Sequence, residues 1–158
     1  MPRAVVITVS NRAAAGVYRD DAGPAVAARL RGAGFTVDEP VIVPDGCAVV
    51  AEAILASCAY ADVVCTSGGT GLHPNDETPE ATRAVIDREV PGVAEAMRRA
   101  AQAVTPMAML SRAVVGVRGT TLICNLPGSP KGAVENLAAI EPVLLHAVEQ
   151  MHGGDHPR

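Results

Sequence analysis

Short apolar runs and amphipathic stretches alternate along the whole chain. The apolar, β-branched runs that predict strands cover about residues 3–10, 35–43, 61–66, 113–117 and 120–124. The helical patterns between them cover about residues 23–31, 47–59, 79–88, 91–103 and 130–151. This βαβα order predicts an α/β protein with a three-layer, doubly wound, mostly parallel sheet and helices on both faces. The last two strands flank the turn Arg118-Gly119, which permits a hairpin and so one antiparallel strand.

Composition narrows the class of protein. The 158 residues, 49% of them apolar, suffice for one domain with a substantial core, predicted over residues 1–151. Residues 152–158 are rich in Gly, Pro and His and are predicted to form a flexible tail. The net charge of −4 and the 2% aromatic content argue against nucleic-acid binding, which usually needs a basic face or stacking rings.

The apolar runs also bear on localisation and redox state. No run approaches membrane-spanning length, and residues 1–10 are typical of a first strand rather than of a signal peptide. We therefore expect a soluble, cytoplasmic protein without a membrane partner. The cysteines and histidines are dispersed, so reduced thiols and no histidine-based metal site are expected. The cysteines are Cys47, Cys58, Cys65 and Cys124, and the histidines are His73, His146, His152 and His156.

The segment from residue 65 to residue 80 joins an apolar strand, a glycine-rich turn, an acid and a helix start. In the turn Ser67-Gly68-Gly69-Thr70-Gly71, three glycines allow backbone N–H groups to approach an anion without interference from Cβ atoms. Asp76 follows, and Thr78 and Pro79 are predicted as the N-cap and first residue of the next helix. The turn lacks the P-loop lysine and the full G-x-G-x-x-G spacing, so a simple tight turn is the alternative to an anion site.

Polar, turn-forming residues follow four of the predicted strands. Ligands of doubly wound folds bind in the crevice beyond the carboxyl ends of the strands, so these turns are expected to meet there. Ser129 is predicted as an N-cap and Pro130 as a helix start, which would let two helix N-termini converge on one anion. Alone, Asp45 is also a common turn residue and Ser111 suits a connecting loop, whereas a partly buried amide at Asn125 needs hydrogen-bond partners. The four segments are Ser10-Asn11, Pro44-Asp45-Gly46, Ser67 to Asp76, and Asn125-Leu126-Pro127-Gly128-Ser129-Pro130.

Several long motifs together resemble the MoaB/Mog family of molybdenum cofactor biosynthesis, and they do so in order along nearly the whole chain. The resemblance implies a three-layer α/β fold, usually a homotrimer, that binds molybdopterin. In the catalytic members, a terminal phosphate oxygen of molybdopterin attacks the α-phosphorus of ATP in the presence of Mg²⁺, giving adenylyl-molybdopterin and pyrophosphate. The motifs are Thr66-Ser67-Gly68-Gly69-Thr70-Gly71, Asp76-x-Thr78-Pro79-Glu80-Ala81-Thr82, Pro91-Gly92, Leu110-Ser111-Arg112 and Asn125-Leu126-Pro127-Gly128-Ser129-Pro130.

The resemblance also implies roles for particular residues. The two functionally important aspartates of the family fall on Asp45 and Asp76, which are expected to act in catalysis and to hold Mg²⁺. ATP is then the co-substrate, and the partners are molybdopterin, other copies of the chain and, as further candidates, other proteins of molybdenum cofactor biosynthesis. The expected substrate-binding residues are Ser67, Gly68, Gly69, Thr70, Gly71, Ser111, Asn125, Pro127, Gly128 and Ser129.

Three departures from the family pattern keep an alternative open. Asn11 stands where many members have an acid, Asn75 where many have an arginine, and Gly46 where a second acid is common. The main hypothesis is a molybdopterin adenylyltransferase. The alternatives are a non-catalytic, MoaB-type molybdopterin-binding or scaffold protein, and an unrelated binder of phosphate sugars or nucleotides that shares only the fold.

Overall fold

The computed structural model describes residues 1–155, and within this range helices cover both faces of a seven-stranded sheet. The predicted α/β fold with a three-layer arrangement is thereby confirmed. The strands are β1 (Arg3–Val9), β2 (Thr36–Val37), β3 (Val41–Val43), β4 (Val63–Ser67), β5 (Arg88–Glu89), β6 (Val115–Arg118) and β7 (Thr121–Leu126). The helices are α1 (Asn11–Ala14), α2 (Ala22–Gly32), α3 (Cys47–Cys58), α4 (Thr78–Val85), α5 (Pro91–Gln102) and α6 (Pro130–Met151), with a 3₁₀ helix at Pro106–Leu110.

The sheet brings the carboxyl ends of its central strands to one edge. The strand order is β2-β1-β4-β7-β6-β5, and β3 pairs with β1 beyond the end of β2. Pairing is parallel from β2 to β7, with Thr8 opposite Ser67 and Ser67 opposite Leu126. Strand β6 runs antiparallel to both β5 and β7, so the predicted hairpin is present. The segments that follow β1, β4 and β7 therefore start side by side.

Two apolar clusters hold the helices on the sheet. On one face, Ala4 and Val6 of β1 pack with residues of α2, α5 and α6, including Leu137. On the other face, Val5 and Ile7 pack with residues of α3 and α4. This alternation is the period of two expected of a strand buried on both faces. Truncating a fully buried side chain such as Leu137 to alanine would cost about 2–5 kcal/mol.

The structure differs from the predicted elements in short segments. The strand predicted over 35–43 is broken into β2 and β3, because Pro40 lacks the N–H that a continuous ladder with β1 would use. Helix α1, strand β5 and the 3₁₀ helix were not predicted, since two to five residues are too short to show a hydrophobic period.

The end of α6 is fixed to the start of the sheet. The Nε2 atom of His152 lies 2.8 Å from Oδ1 of Asp62, and the backbone N–H of Arg3 donates to Oδ2 of the same carboxylate at 2.8 Å. Burial raises the pKa of Asp62, but the bonds from Arg3 and His152 outweigh it and lower the pKa overall. The first residue of the predicted flexible tail thus packs on the domain, and residues 156–158 lie outside the described range.

Two further expectations concern the membrane and the thiols. Within residues 1–155, the helices are too short or too polar to cross a lipid bilayer. All four cysteines are free, and Cys65 and Cys124 are fully buried neighbours on β4 and β7. The adjacent Cys65 thiol and burial raise the pKa of Cys124, so this thiol stays protonated and behaves as a small core residue.

Candidate functional site

A crevice of about 600 Å³ lies at the carboxyl ends of the central strands. Its walls come from the segments after β1, β3, β4 and β7, which are the four turns that the sequence predicted to meet. It contains both predicted aspartates. The predicted site residues that line it are Asp45, Ser67, Gly68, Gly69, Asp76 and Gly128.

The loop that carries Asp45 is bonded to the segment after β1. The backbone N–H of Asn11 donates to Oδ2 of Asp45 at 3.2 Å, and the N–H of Asp45 donates to Oδ1 of Asn11 at 2.9 Å. Asn11 therefore orients Asp45 through two reciprocal bonds. The amide oxygen supplies the acceptor that an aspartate would supply, but it adds no second negative charge beside Asp45.

The same loop is also bonded to the segment that carries Asp76. The carboxylate of Glu77 accepts from the backbone N–H of Cys47, the first residue of α3, at 2.7 Å. This bond satisfies one N–H of the helix start, for which Gly46 offers no side chain. The two aspartate loops are therefore held against each other by a direct hydrogen bond.

The glycine turn requires glycine at two positions. Gly68 has φ +108° and Gly69 has φ +69°, in the region that disfavours other residues. A Cβ atom at Gly68 would lie 2.3 Å from the Val9 carbonyl oxygen, and one at Gly69 would lie 2.3 Å from Oγ1 of Thr78. The turn thus packs tightly between the end of β1 and the start of α4.

The glycine turn offers fewer N–H groups to a ligand than its sequence indicated. The N–H of Gly68 donates to the Leu126 carbonyl at 3.0 Å, and the N–H of Gly71 donates to Oδ2 of Asp76 at 3.0 Å. Those two amides hold the loop and Asp76 in place. Among the described residues of this turn, Gly69 both lines the crevice and keeps its amide as a backbone donor for an anion.

Arg112 stabilises the loop that carries Asp76 through hydrogen bonds to its backbone. Its Nε atom donates to the Gly71 carbonyl at 2.8 Å, and its Nη2 atom donates to the Asp76 carbonyl at 2.7 Å. Its Nη1 atom also pairs with the carboxylate of Glu80, and this contact lowers the pKa of Glu80. Arg112 does not line the crevice. It belongs to the motif Leu110-Ser111-Arg112, but the sequence did not predict it as a site residue, because these contacts join segments 32 to 41 residues apart.

The turn after β7 forms the neighbouring wall. The hydroxyl of Ser67 donates to the Pro127 carbonyl at 2.8 Å, and a Cβ on Gly128 would lie 3.4 Å from the Gly68 Cα. Oγ of Ser129 accepts from the Gly132 N–H at 3.1 Å, which confirms the predicted N-cap of α6. The start of α6 thus lies at the crevice, which Pro130 lines.

Asn125 has a structural role instead of facing the crevice. It is fully buried, its Nδ2 atom donates to the hydroxyls of Thr66 at 3.0 Å and Thr82 at 2.9 Å, and its Oδ1 atom accepts from the Val114 N–H at 3.0 Å. Both N–H donors and one lone pair of the amide oxygen are therefore used inside the protein. The interpretation of Asn125 as a ligand-orienting residue is corrected accordingly.

The structure places other predicted residues behind the wall of the crevice. Ser111 lies in a separate depression beside Arg98 and Arg112, away from the two aspartates. Thr78 was predicted as the N-cap of α4, but it is the first helical residue and Glu77 precedes it without a capping bond. The Thr78 hydroxyl is buried and has no hydrogen-bond partner within residues 1–155. The predicted binding residues that do not line the crevice are Thr70, Gly71, Ser111, Asn125, Pro127 and Ser129.

The segment between β1 and α2 supplies crevice residues that the sequence did not single out. Oγ1 of Thr8 donates to Oδ2 of Asp20 at 2.7 Å, and the Gly23 N–H donates to Oδ1 of Asp20 at 3.0 Å. Both oxygens of the Asp20 carboxylate therefore accept hydrogen bonds from within the protein. The position of this segment after a central strand was the available signal. The other crevice residues of this segment include Arg12, Tyr18 and Arg19.

The crevice presents carboxylates, the side chains that magnesium prefers as ligands. Within residues 1–155 there is no cluster of three His, Cys, Asp or Glu side chains placed for a metal. Magnesium, however, is commonly held by one or two carboxylates, with phosphate oxygens and waters completing the shell. Asp45 and Asp76 line one crevice and fit that pattern.

Known proteins are similar to this chain in sequence and fold over nearly its whole length. Residues 5–146 match the family described as "Probable molybdopterin binding domain". The molybdopterin adenylyltransferase of Escherichia coli (strain K12) is 38% identical over 154 residues, covering 90% of this chain and 77% of that protein. The chain is 36% identical to the molybdenum cofactor biosynthesis bifunctional protein of Synechococcus elongatus, with 97% of this chain covered, and spans 48% of that protein's length.

Solved structures agree with these relatives. The molybdopterin biosynthesis enzyme MoaB from Thermus thermophilus is 47% identical, with a TM-score of 0.90 and coverage of 97% of this chain and 98% of that chain. The molybdopterin biosynthesis Mog protein from Mycobacterium ulcerans is 46% identical, with a TM-score of 0.89 and coverage of 96% and 99%. The predicted resemblance is confirmed, and the chain belongs to the molybdopterin-binding domain family that includes MoaB and Mog proteins.

Proposed function

We propose that the protein is a molybdopterin adenylyltransferase that uses ATP and Mg²⁺. The observation that carries the proposal is the meeting of Asp45 and Asp76 in one crevice, on loops that are bonded to each other through Glu77. The similarity to the E. coli protein named for this activity supports it. In the reaction, a phosphate oxygen of molybdopterin bonds to the α-phosphorus of ATP while the bond from that phosphorus to the bridging oxygen of pyrophosphate breaks.

Such a transfer needs positioning and charge stabilisation rather than a protein nucleophile. We assign the Gly68–Gly69 wall and the adjoining start of α6 to the phosphates, because helix N-termini and glycine turns present positive backbone dipoles. Asn11 keeps the Asp45 carboxylate oriented, and Gly71 does the same for Asp76. The carboxylates then need no rearrangement when a substrate enters.

The two aspartates would hold Mg²⁺ together with substrate phosphate oxygens. When bound, the ion supplies neutralisation of phosphate charge, which is the main electrostatic need of nucleotidyl transfer. Asp20 and Asp21 are less suited to this task. The former accepts bonds from Thr8 and Gly23, and the latter pairs with Arg19 at 2.9 Å.

A non-catalytic molybdopterin-binding protein is the second candidate. The observation that favours it is that Asn11 and Asn75, both neutral, line the crevice where charged residues are common in the family. With Asn75 in place of a cation, the polyphosphate of ATP would have less positive charge on that side. The segment after β1 still brings Arg12 to the crevice, and this cation supports the enzyme over the scaffold.

The deciding experiment is incubation of the protein with molybdopterin, ATP and Mg²⁺, followed by chromatographic detection of adenylylated pterin and of pyrophosphate. The enzyme proposal predicts stoichiometric appearance of both products. Tight pterin binding without either product would select the scaffold, and failure to bind pterin would reject both. The family resemblance further suggests a homotrimer in the cytoplasm, and light scattering of the purified chain tests its oligomeric state.

A further inference from the structure

Tyr18 is a half-exposed aromatic residue on the wall of the crevice. The chain has one phenylalanine, two tyrosines and no tryptophan. Phe35 is buried in the core, and the ring of Tyr60 lies away from the crevice with the Arg3 guanidinium 5.8 Å from its centroid. Tyr18 lines the crevice and is 50% exposed. Tyr18 is therefore the aromatic side chain of the described residues that a ligand in the crevice can reach.

The structure holds Tyr18 in place before any ligand arrives. Its hydroxyl lies 2.9 Å from Oγ of Ser10, and that oxygen also accepts the Ala13 N–H at 3.2 Å as the N-cap of α1. The Val17 N–H donates to the Arg12 carbonyl at 2.9 Å, which closes the chain just before the tyrosine. A ring that is already ordered loses little entropy when it binds a partner.

The remaining binding capacity of Tyr18 is its ring. Because the hydroxyl already has Ser10 as a partner, a ligand can use the apolar face without displacing that bond. Both proposed substrates carry a planar nitrogen heterocycle, the pterin of molybdopterin and the adenine of ATP. The proposed function assigns their phosphates to the glycine turn, and Tyr18 lines the same crevice as that turn, within reach of a ring system that extends along it.

We propose that the ring of Tyr18 stacks on the planar heterocycle of a substrate, adenine or pterin, in the crevice. The inference rests on the proposed function, since that function supplies the heterocycles. Stacking of a base on an aromatic side chain contributes enough affinity that its removal weakens binding by about tenfold or more. Tyr18 would then determine which planar ligands the crevice accepts and where their phosphates lie.

The test measures the dissociation constants of the full chain separately for a non-hydrolysable ATP analogue with Mg²⁺ and for molybdopterin. Tyr18→Leu should weaken one of the two ligands by about tenfold or more, and the ligand affected identifies the heterocycle. Tyr18→Phe keeps the ring but loses the hydroxyl, so its dissociation constants should stay within about threefold of the wild type. Tyr60→Leu, at the exposed tyrosine outside the crevice, is the matched control and should change neither constant.

A spectroscopic readout separates stacking from an indirect structural effect. Protein labelled with ¹³C-tyrosine has two ring systems to observe. The heterocycle should shift the ring signals of Tyr18 upfield and leave those of Tyr60 in place. Unchanged affinity for both ligands in Tyr18→Leu, equal loss in Tyr18→Phe and Tyr18→Leu, or unshifted Tyr18 signals at saturation would overturn the stacking while the proposed function stands. Failure of the wild type to bind either ligand would overturn both.

Discussion

Replacing Asn125 by leucine tests whether this residue stabilises the fold or contacts ligand. Asn125→Leu has a similar volume but removes three hydrogen bonds, to Thr66, Thr82 and the Val114 N–H, at distances of 2.9–3.0 Å. Each bond contributes about 1 kcal/mol, and the Val114 N–H is left buried without that partner at a cost of a further 1–3 kcal/mol or so. The added apolar contact offsets part of this, so the expected loss is about 3–5 kcal/mol. For a chain of this length the loss corresponds to a fall in Tm of roughly 10 °C.

The assay is urea unfolding followed by circular dichroism, with the slope of the transition checked for constancy. Asn136→Leu is the matched control, because Asn136 is also buried but its described side-chain bond is a single one, to the Gly132 carbonyl at 2.8 Å. That variant should lose about 1 kcal/mol or less. If Asn125→Leu were as stable as Asn136→Leu and instead bound molybdopterin more weakly, the structural role of Asn125 would be refuted.

Three further substitutions test the packing around the aspartate loops. Thr78→Val should change the free energy of unfolding by less than about 0.5 kcal/mol, because the hydroxyl it removes is buried without a partner in the described chain; a loss of about 1 kcal/mol would instead indicate a capping bond. Gly69→Ala should lower the free energy of unfolding in urea more than Gly16→Ala. The two glycines have similar φ angles, +69° and +72°, but a new Cβ atom would lie within 4 Å of another atom at Gly69 and not at Gly16. Equal losses of stability would contradict the close packing of Gly69. Arg112→Gln should lower stability near neutral pH, and because Arg112 lowers the pKa of Glu80 below its usual 4.5, the ion-pair part of the loss should vanish as acid protonates Glu80. Thermal unfolding of the wild type and of Arg112→Gln, from neutral pH down to the pH at which Glu80 is protonated, measures the difference in stability between them. A stability difference that did not change with pH would rule out the ion-pair contribution.

The main strands and helices could be predicted because their signals are local. Strands β1 and β4 are apolar on both faces, and they begin and end within about two residues of their predicted bounds. The N-cap of α6 was recognised because Ser129 is followed directly by Pro130 at the helix start. The cap of α4 was misplaced because threonine is a favoured N-cap residue, whereas the helix begins at Thr78 itself. The preceding Glu77 makes no capping bond, and its side chain bonds to the start of α3.

The site was predictable where strand topology alone places residues together. Asp45 and Asp76 meet because parallel strands end at one edge of the sheet. The inward orientation of Asn125 had a signal as well, since it lies two residues after the buried Ile123 and so shares its face. No signal in the sequence indicated the hydrogen bond from Arg112 to the Gly71 carbonyl or the bond between Ser10 and Tyr18. Each of these bonds depends on how a loop folds back in three dimensions.

The most direct test of the account is the rate of adenylyl-molybdopterin formation by Asp76→Asn, measured beside Asp21→Asn. Both substitutions remove one crevice carboxylate, but Asp76 is assigned to the metal and substrate whereas Asp21 pairs with Arg19. With molybdopterin binding and folding verified, Asp76→Asn should lower kcat by about 100-fold or more, and Asp21→Asn should stay close to the wild type. Equal rates for Asp76→Asn and the wild type would contradict the assignment of Asp76 to the reaction.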